Sequence, residues 1–565
     1  MITNKTKKKE MEDEKIYLKN TNEYPLEEET DKTDIKNIII GLLILFLIIS
    51  LILNLYFYFN GKKTTSHLRI DNNRLKNSDI STNNMYKYYH YNINMNNIED
   101  FFSSENLLLS PGRNCPNRDI KTFFFKPKLP KEPYQYIKFQ KKNISLELRN
   151  TSYLKPTAFT EDKYEMREIF LKRLGFELDT NMNVHNLYIT SYSITNKIKN
   201  NMNKNLISKY QKINRFYNYQ EYVSKSLLYD NYKVFEDKYP DEYNYMLESY
   251  SFPKEKIKIA SKFKNYKLEK NDDVWMIKPN MGSLGSKISI LTNYSDIKLK
   301  SYLLTKYLHN PHLIKGYKYD LRFHGLVSTI KPLKLYLYNE GLVRIASEKY
   351  NVSSFDPNNK YAFLTNLFIN KKNKNKFIYP KNLPNMEDSN LWNLETFQKY
   401  CARNNINYNE LYYKVADIFI KMVLTVREKI LNYIEENNLE ISNFYHLIGI
   451  DIILDNNLKP YLLETNRRCG FRDNNDAEKY FTHNIVADTL NIIGIRPKQL
   501  DIVGEKKSKE ELLKENLEDS FCELDRPRGG YELIFPLKNN VEKYKKFFGN
   551  NITDEDKELW EQLNE

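Results

Sequence analysis

The chain has 565 residues, of which 41% are hydrophobic and 14% aromatic, and carries a formal net charge of +14. Its length is well above the range in which a stable core is hard to build and implies two to four domains. The charge favours an acidic partner, whether nucleic acid, anionic lipid or an acidic peptide. The four cysteines, Cys115, Cys401, Cys469 and Cys522, are scattered. They form neither a CxxC pair nor a regular disulfide framework, so reduced thiols in a cytosolic compartment are expected.

Residues 1–37 are a polar tail of mixed charge, followed by the uncharged run "IIIGLLILFLIISLILNLYFYF" at 38–59. That length suits one transmembrane helix. Lys62, Lys63, Arg69, Arg74 and Lys76 follow it, against Lys32 and Lys36 before it. This imbalance predicts a single-pass membrane protein whose large domain faces the cytosol, the alternative being an uncleaved signal-anchor that places it in a lumen. Residues 60–130, rich in Asn, Ser and Tyr, read as a stalk or low-complexity linker.

A region of mixed strand and helix signals follows at 131–265. "TFFFKPKLP" (122–130), "NISLELR" (143–149) and "NLYITSYS" (186–193) look extended, whereas 161–173 looks helical. Asn- and Lys-rich stretches at 195–205 and 370–390 read as surface insertions, having few apolar residues to bury.

Between 266 and 497 short apolar strands precede a strong helix. "DVWMIKPN" (273–280) alternates and ends at a proline, as a strand entering a loop does. In the following "NMGSLGSK", Gly282 and Gly285 can offer backbone amides to phosphate, with Lys278 and Lys287 adding charge. Glycine and serine are equally common in ordinary turns, and no GxxxxGK[ST] sequence is present. "GIDIILDNNLKPYLLETNRR" (449–468) parses as strands at 450–454 and 460–465 around a turn that holds Asp455. Glu464 and Asn466 share a face, and Asp451 can oppose them across the hairpin. Two carboxylates and an amide oxygen make a hard ligand set suited to Mg²⁺, although a hairpin with one wet face would read the same way.

A basic series lies between these two motifs: Lys318, Arg322, Arg344 and Lys371, with Asp320 on the strand face of Lys318 and Arg322. An arginine on an apolar strand must reach solvent or an anion, because burying it alone is too costly. In "FIKMVLTVREKILNYIEEN" (419–437) the helical period puts Val423 and Val426 inside and Lys421 and Glu428 outside.

"QKINRF" (211–216), "WMIKPN", "YLHNPHLIKGYKYDLR", "PLKLYLYNEGLVRIASEKY", "LTNLFINK" (364–371) and the acidic hairpin occur in that order. In this the chain resembles the tubulin tyrosine ligase-like family of the ATP-grasp superfamily, over roughly 205–497, with a weaker return at "RGGYELIFP" (528–536). The resemblance implies an α+β fold: an ATP-grasp core with N-terminal mixed α/β regions, preceded by the one transmembrane helix, and a C-terminal extension at 498–565. It implies that Lys278 and Lys318 contact ATP, with Gly282, Gly285, Asp320 and Thr365 in the same nucleotide site. By the same carry-over Arg322 and Arg344 hold the terminal phosphate, Asn366 and Lys371 lie near phosphate and the incoming amino acid, and Asp451, Glu464 and Asn466 hold Mg²⁺.

The implied activity is ATP-dependent ligation of an amino acid, foremost glutamate, to the acidic C-terminal tail of tubulin through an acyl phosphate. No side-chain nucleophile is required, in keeping with the lack of a Ser-His or Cys-His constellation. Tyrosine or glycine ligation, or a microtubule-binding membrane linker with impaired catalysis, are the alternatives. No nucleic-acid reader motif accompanies the charge, so no nucleic-acid partner is expected. The chain departs from the family pattern at Leu284 and Lys287 in the glycine loop, at Thr305 where an adenine-contacting glutamine is usual, and in "RRCGF" (467–471).

Overall fold

The computed structural model describes residues 107–109, 115–116, 121–126, 149–150, 155–160, 168–178, 185–190, 211–268, 273–280, 288–297, 301–351, 356, 358–380, 386–437, 439–471, 476–497 and 508–564. The apolar run at 38–59, the stretch at 195–205 and the glycine loop with Gly282, Leu284, Gly285 and Lys287 lie outside these residues. Among the described residues no helix is long and apolar enough to cross a membrane.

A four-stranded antiparallel sheet is built from Ser249–Phe252 (β1), Trp275–Pro279 (β2), Ser289–Ile290 (β3) and Tyr302–Lys306 (β4), in the order β3-β2-β4-β1. Trp275, Leu304 and Phe263 fill its apolar side, with the Phe263 and Trp275 rings edge to face at 5.0 Å. Lys278, as expected, sits on β2 immediately before the loop.

The larger sheet is organised around Tyr317–Ile330 (β5), a 14-residue strand. Leu333–Tyr338 (β6) and Leu342–Ile345 (β7) pair with its two ends on one side, and His446–Leu454 (β9) pairs along its middle on the other. Leu391–Asn393 (β8) extends the sheet beyond β7, Pro460–Asn466 (β10) extends it beyond β9, and Tyr531–Phe535 (β11) joins the free edge of β6. The acidic hairpin is therefore present with its two strands as expected, and Asp455 acts as a turn residue, its Oδ1 accepting from the amides of Asn457 (2.9 Å) and Lys459 (2.8 Å).

The period of two along β5 separates two environments. Tyr319, Leu321 and Phe323 point into the main core against the 29-residue helix Tyr408–Glu436 (α1), whose Tyr412 and Phe419 are buried there. The alternate positions, Lys318, Asp320, Arg322 and His324, face the other way; the face turns apolar at Leu326, which packs with residues of the helix Asp476–Ile493 (α2). The core beneath the strand is continuous, so each polar side chain above it is held on a rigid floor.

Smaller sheets lie N-terminal to this assembly: a parallel one over Thr157–Thr160, Glu177–Leu178, Leu187–Ile189 and Lys212–Ile213, and an antiparallel one over Leu107–Leu109, Thr122–Phe124 and Arg149–Asn150. C-terminal to α2, Lys509–Leu524 (α3) and Asp554–Asn564 (α4) pack together.

Three expectations are corrected. Lys421 is buried: its ammonium lies 2.7 Å from Asp417 and 2.9 Å from Glu242, because α1 is packed on nearly every side and the long stem is covered before the charge finds carboxylates. Part of 370–390 is interior: Asn370 is fully buried, its Oδ1 accepting from the Ser347 amide at 2.8 Å and its Nδ2 donating to the Leu364 carbonyl at 2.7 Å. An amide that satisfies backbone groups can be buried despite polar surroundings in sequence. Finally, Cys115 and Cys522 form a disulfide across 407 residues, whereas Cys401 and Cys469 are free and buried. The contact arises because the strand near Cys115 docks on the end of α2, the Phe125 amide donating to Asn491 Oδ1 at 2.8 Å, and α3 packs against α2.

The C-terminal helix is tied to the core through charge. Arg427 of α1 donates to Asp556 at 2.5 Å and to the Ile330 carbonyl at 3.1 Å, while Asp556 also accepts from the Leu333 amide at 2.9 Å; both side chains are buried. Removing one partner strands the other charge in the interior. Asp556→Ala is expected to cost about 3–5 kcal/mol of stability, seen as a lowered midpoint in urea; a midpoint equal to that of the unaltered protein would show that the pair holds nothing together.

Candidate active site

Strand register assembles the site. Arg322 on β5 stands opposite Asp451 on β9, and Asp451 stands opposite Glu464 on β10, so three charges form one row across three strands. Asp320 stands opposite Arg344 on β7 in the neighbouring row. Arg322 chelates Asp451 through Nε and through Nη2, the latter at 2.9 Å from Oδ2. Arg344 bridges the two acids, with Nε 2.5 Å from Asp320 Oδ1 and Nη2 2.8 Å from Asp451 Oδ2. Thr365 donates to the other oxygen of Asp320. Gly449 makes the arginine's place: a Cβ there would lie 3.3 Å from Arg322 Cδ and 3.4 Å from Nε and Nη1.

The electrostatics follow from this geometry. Burial alone would raise the Asp451 carboxyl, but Arg322 and Arg344 hold it well below the usual carboxylate range. Asp320 goes the other way: burial, aided by the nearby Asp451 charge, lifts it despite its bond to Arg344. Arg344 is largely covered, its side chain 12% exposed, yet held more firmly protonated than an ordinary arginine by the two acids. Glu464 is the more open acid, its side chain 28% exposed. Burial pushes its carboxyl up, and Lys225, with Nζ 3.0 Å from Oε2, outweighs that and brings it below its ordinary value. Asn466 completes the group, its Nδ2 lying 3.2 Å from Asp451 and 3.4 Å from Glu464.

Two lysines stand beside the row. Burial pushes Lys278 down to about 8 and Lys318 down to about 7, offset in part by Glu464 and Asp320 respectively. Lys318 rests on an aromatic shelf, its Nζ 2.6 Å from the Tyr307 hydroxyl and 3.9 Å from the centre of that ring. A desolvated ammonium over an aromatic face retains attraction for an anion while carrying no tight carboxylate partner.

Lys278, Lys318, Asp320, Arg322, Arg344, Thr365, Asp451, Glu464 and Asn466 are thus linked by direct bonds or by mutual electrostatic influence. Asn366 and Lys371 have other contacts. The Asn366 side chain caps the short helix Leu367–Asn370, accepting from the Phe368 amide at 3.0 Å, and Lys371 donates to the Tyr379 hydroxyl at 2.6 Å. Thr305, on β4, accepts from the Ser249 hydroxyl at 3.1 Å. Sequence reasoning missed Lys225 and Tyr307. Lys225 opens a helix over 225–238 with no strand alternation to flag it, and Tyr307 lies one residue past β4 among many tyrosines.

The fold and site define a mixed α/β protein whose central sheet carries a row of arginines and carboxylates with two desolvated lysines beside it. Residues 201–502 match the model of the tubulin-tyrosine ligase family. The chain belongs to that family. It is 28% identical over 306 residues to tubulin monoglutamylase TTLL4 of Mus musculus, covering 54% of this chain and 25% of that protein. It is 29% identical over 294 residues to tubulin polyglutamylase TTLL7 of Xenopus tropicalis (51% and 32%), and 26% identical over 412 residues to tubulin polyglutamylase TTLL6 of Homo sapiens (69% and 44%). The chain spans less than half the length of these curated relatives.

The lowered lysines give a pH prediction. A polyphosphate bound beside these lysines would favour their charged forms, so both groups would gain protons on binding and affinity would fall as pH rises through about 7 to 8. Calorimetry with ATP at pH 8 in buffers of different ionisation enthalpy is expected to show uptake of roughly one proton; an enthalpy independent of the buffer would contradict the assignment of these lysines.

Proposed function

We propose that the protein is an ATP-dependent ligase that joins glutamate to a carboxylate in the acidic tail of tubulin. The observation that carries this reading is the row Arg322–Asp451–Glu464 with Arg344 bridging to Asp320, inside a chain of the tubulin-tyrosine ligase family. The names of the relatives, tubulin mono- and polyglutamylases, support the choice of donor and acceptor.

A carboxylate carbon is a poor electrophile and its oxygen a poor leaving group. In the proposed reaction an acceptor carboxylate oxygen attacks the γ-phosphorus of ATP, the bond to the β-γ bridging oxygen breaks, and ADP leaves. The amine of glutamate then attacks the acyl phosphate carbon, loses a proton and expels phosphate as the amide forms. Lys278 and Lys318 are placed to bind phosphate oxygens, and the guanidinium groups of Arg322 and Arg344 to meet charge on the transferring phosphoryl group. Because Asp451 already holds both arginines in place, little reorganisation is needed when that charge develops.

The donor set fits Mg²⁺, since Asp451 and Glu464 are hard oxygen donors facing each other across a hairpin. Glu464 would be the principal ligand, Asp451 would contribute lone pairs not used by the arginines, and Asn466 would turn its amide to present oxygen. Bound there, the ion would neutralise charge on phosphate oxygens. Among the described residues no group of three or more His, Cys, Asp or Glu side chains could hold a metal ion, and the set here is two carboxylates and an amide.

The test is transfer of labelled glutamate, glycine or tyrosine to tubulin in the presence of Mg-ATP. Glutamate transfer is expected, and Glu464→Gln should lower it by about a hundredfold or more while the melting temperature changes little. Tight tubulin binding without transfer of any of the three amino acids would refute the ligase reading.

A further inference from the structure

A second cationic site lies away from the cleft, where three parts of the chain meet. Lys212 of the parallel N-terminal sheet, Lys331 and Lys334 of the β5–β6 turn and β6, Arg496 after α2 and Arg526 after α3 line a small cavity open to solvent. Only two carboxylates, Asp519 and Glu523, join them in the lining. Three of the cations are matched: Lys334 with Glu523 at 2.8 Å, Arg496 with Asp519, and Lys331 with Glu555 at 3.3 Å.

Lys212 and Arg526 are left over. Among the described residues no carboxylate lies within 4.0 Å of either, and their described bonds go to carbonyl oxygens, Lys212 to Ser442 at 2.7 Å and Arg526 to Ile492 at 2.9 Å. They are close enough to feel each other: burial pushes Lys212 down to about 8, Asp519 and Glu523 pull it back up, and Arg496 and Arg526 push it down. The guanidinium of Arg526 is set deliberately close to backbone at Gly494 (φ +69), where a Cβ would come within 2.3 Å of it. Two half-buried cations that face one cavity with no carboxylate in direct contact favour an anion between them.

We propose that this cavity binds a phosphate dianion, free or as the headgroup of a phosphomonoester, and that the ligand latches the C-terminal segment to the central sheet and the N-terminal sheet. The two surplus charges match those of the dianion, and a guanidinium suits phosphate geometry. Neither Lys212 nor Arg526 belongs to the nucleotide cleft, so the latch is independent of the ligase reading.

Thermal melting of the full chain in a chloride buffer, with and without inorganic phosphate, glycerol phosphate or the dicarboxylate glutarate, tests the proposal. At tenfold excess over its Kd, phosphate is expected to raise the melting temperature by about 2 °C. That rise should vanish in Lys212→Gln and in Arg526→Gln and persist in Lys318→Gln, which alters the cleft. A larger rise with glycerol phosphate would identify a phosphomonoester, and an equal or smaller one the free ion. Without phosphate, Lys212→Gln should stay folded, since its amide can still donate to the Ser442 carbonyl; this arm decides the matter even if Arg526→Gln does not fold. An unchanged melting temperature with phosphate, a response to glutarate alone, a rise that survives in Lys212→Gln, or one lost in Lys318→Gln would each overturn the proposal.

Discussion

Asp451 carries one negative charge that two guanidinium groups share inside the central sheet, and the rest of the site is arranged around that sharing. Arg322 reaches it from the adjacent strand and Arg344 from the strand beyond, where it also holds Asp320. Each arginine alone would be expensive to bury, and so would the acid. Together they fix the rotamers of side chains on three strands, the two guanidinium groups balanced by two carboxylates. A bound polyanion would complete a network that is already oriented.

This arrangement depends on the two-sidedness of β5. One face supplies the aromatic and aliphatic residues that meet α1, and the other supplies Lys318, Asp320 and Arg322. The floor under the charged side chains is therefore packed hydrocarbon, which keeps the strand from flexing and excludes water from below. The same burial lowers Lys278 and Lys318, so the features that stabilise the sheet also tune the groups beside it.

The C-terminal part of the chain reinforces this frame. β11 extends the central sheet, the Arg427–Asp556 pair anchors α4 to α1, and the Cys115–Cys522 disulfide joins α3 to the region before the N-terminal sheet. The Arg427–Asp556 pair lies at the far end of β5 from the charged row, where Arg427 also donates to the Ile330 carbonyl. Stability and chemistry thus occupy opposite ends of one long strand.

Much of the site was legible in the residues themselves. Alternation put Lys318, Asp320 and Arg322 on one face, and the spacing of Glu464 and Asn466 about the turn at Asp455 placed them opposite Asp451, because side-chain direction in a strand is a local property with a period of two. What tertiary structure alone decided was which faces meet. The convergence of both arginines on Asp451, the shelf of Tyr307 under Lys318, the pairing of Lys225 with Glu464, the interior place of Lys421 and the meeting of Cys115 with Cys522 all join residues distant in sequence. Such contacts depend on inter-strand register and helix docking, which are set by the packing of the whole core and leave no period in any single segment.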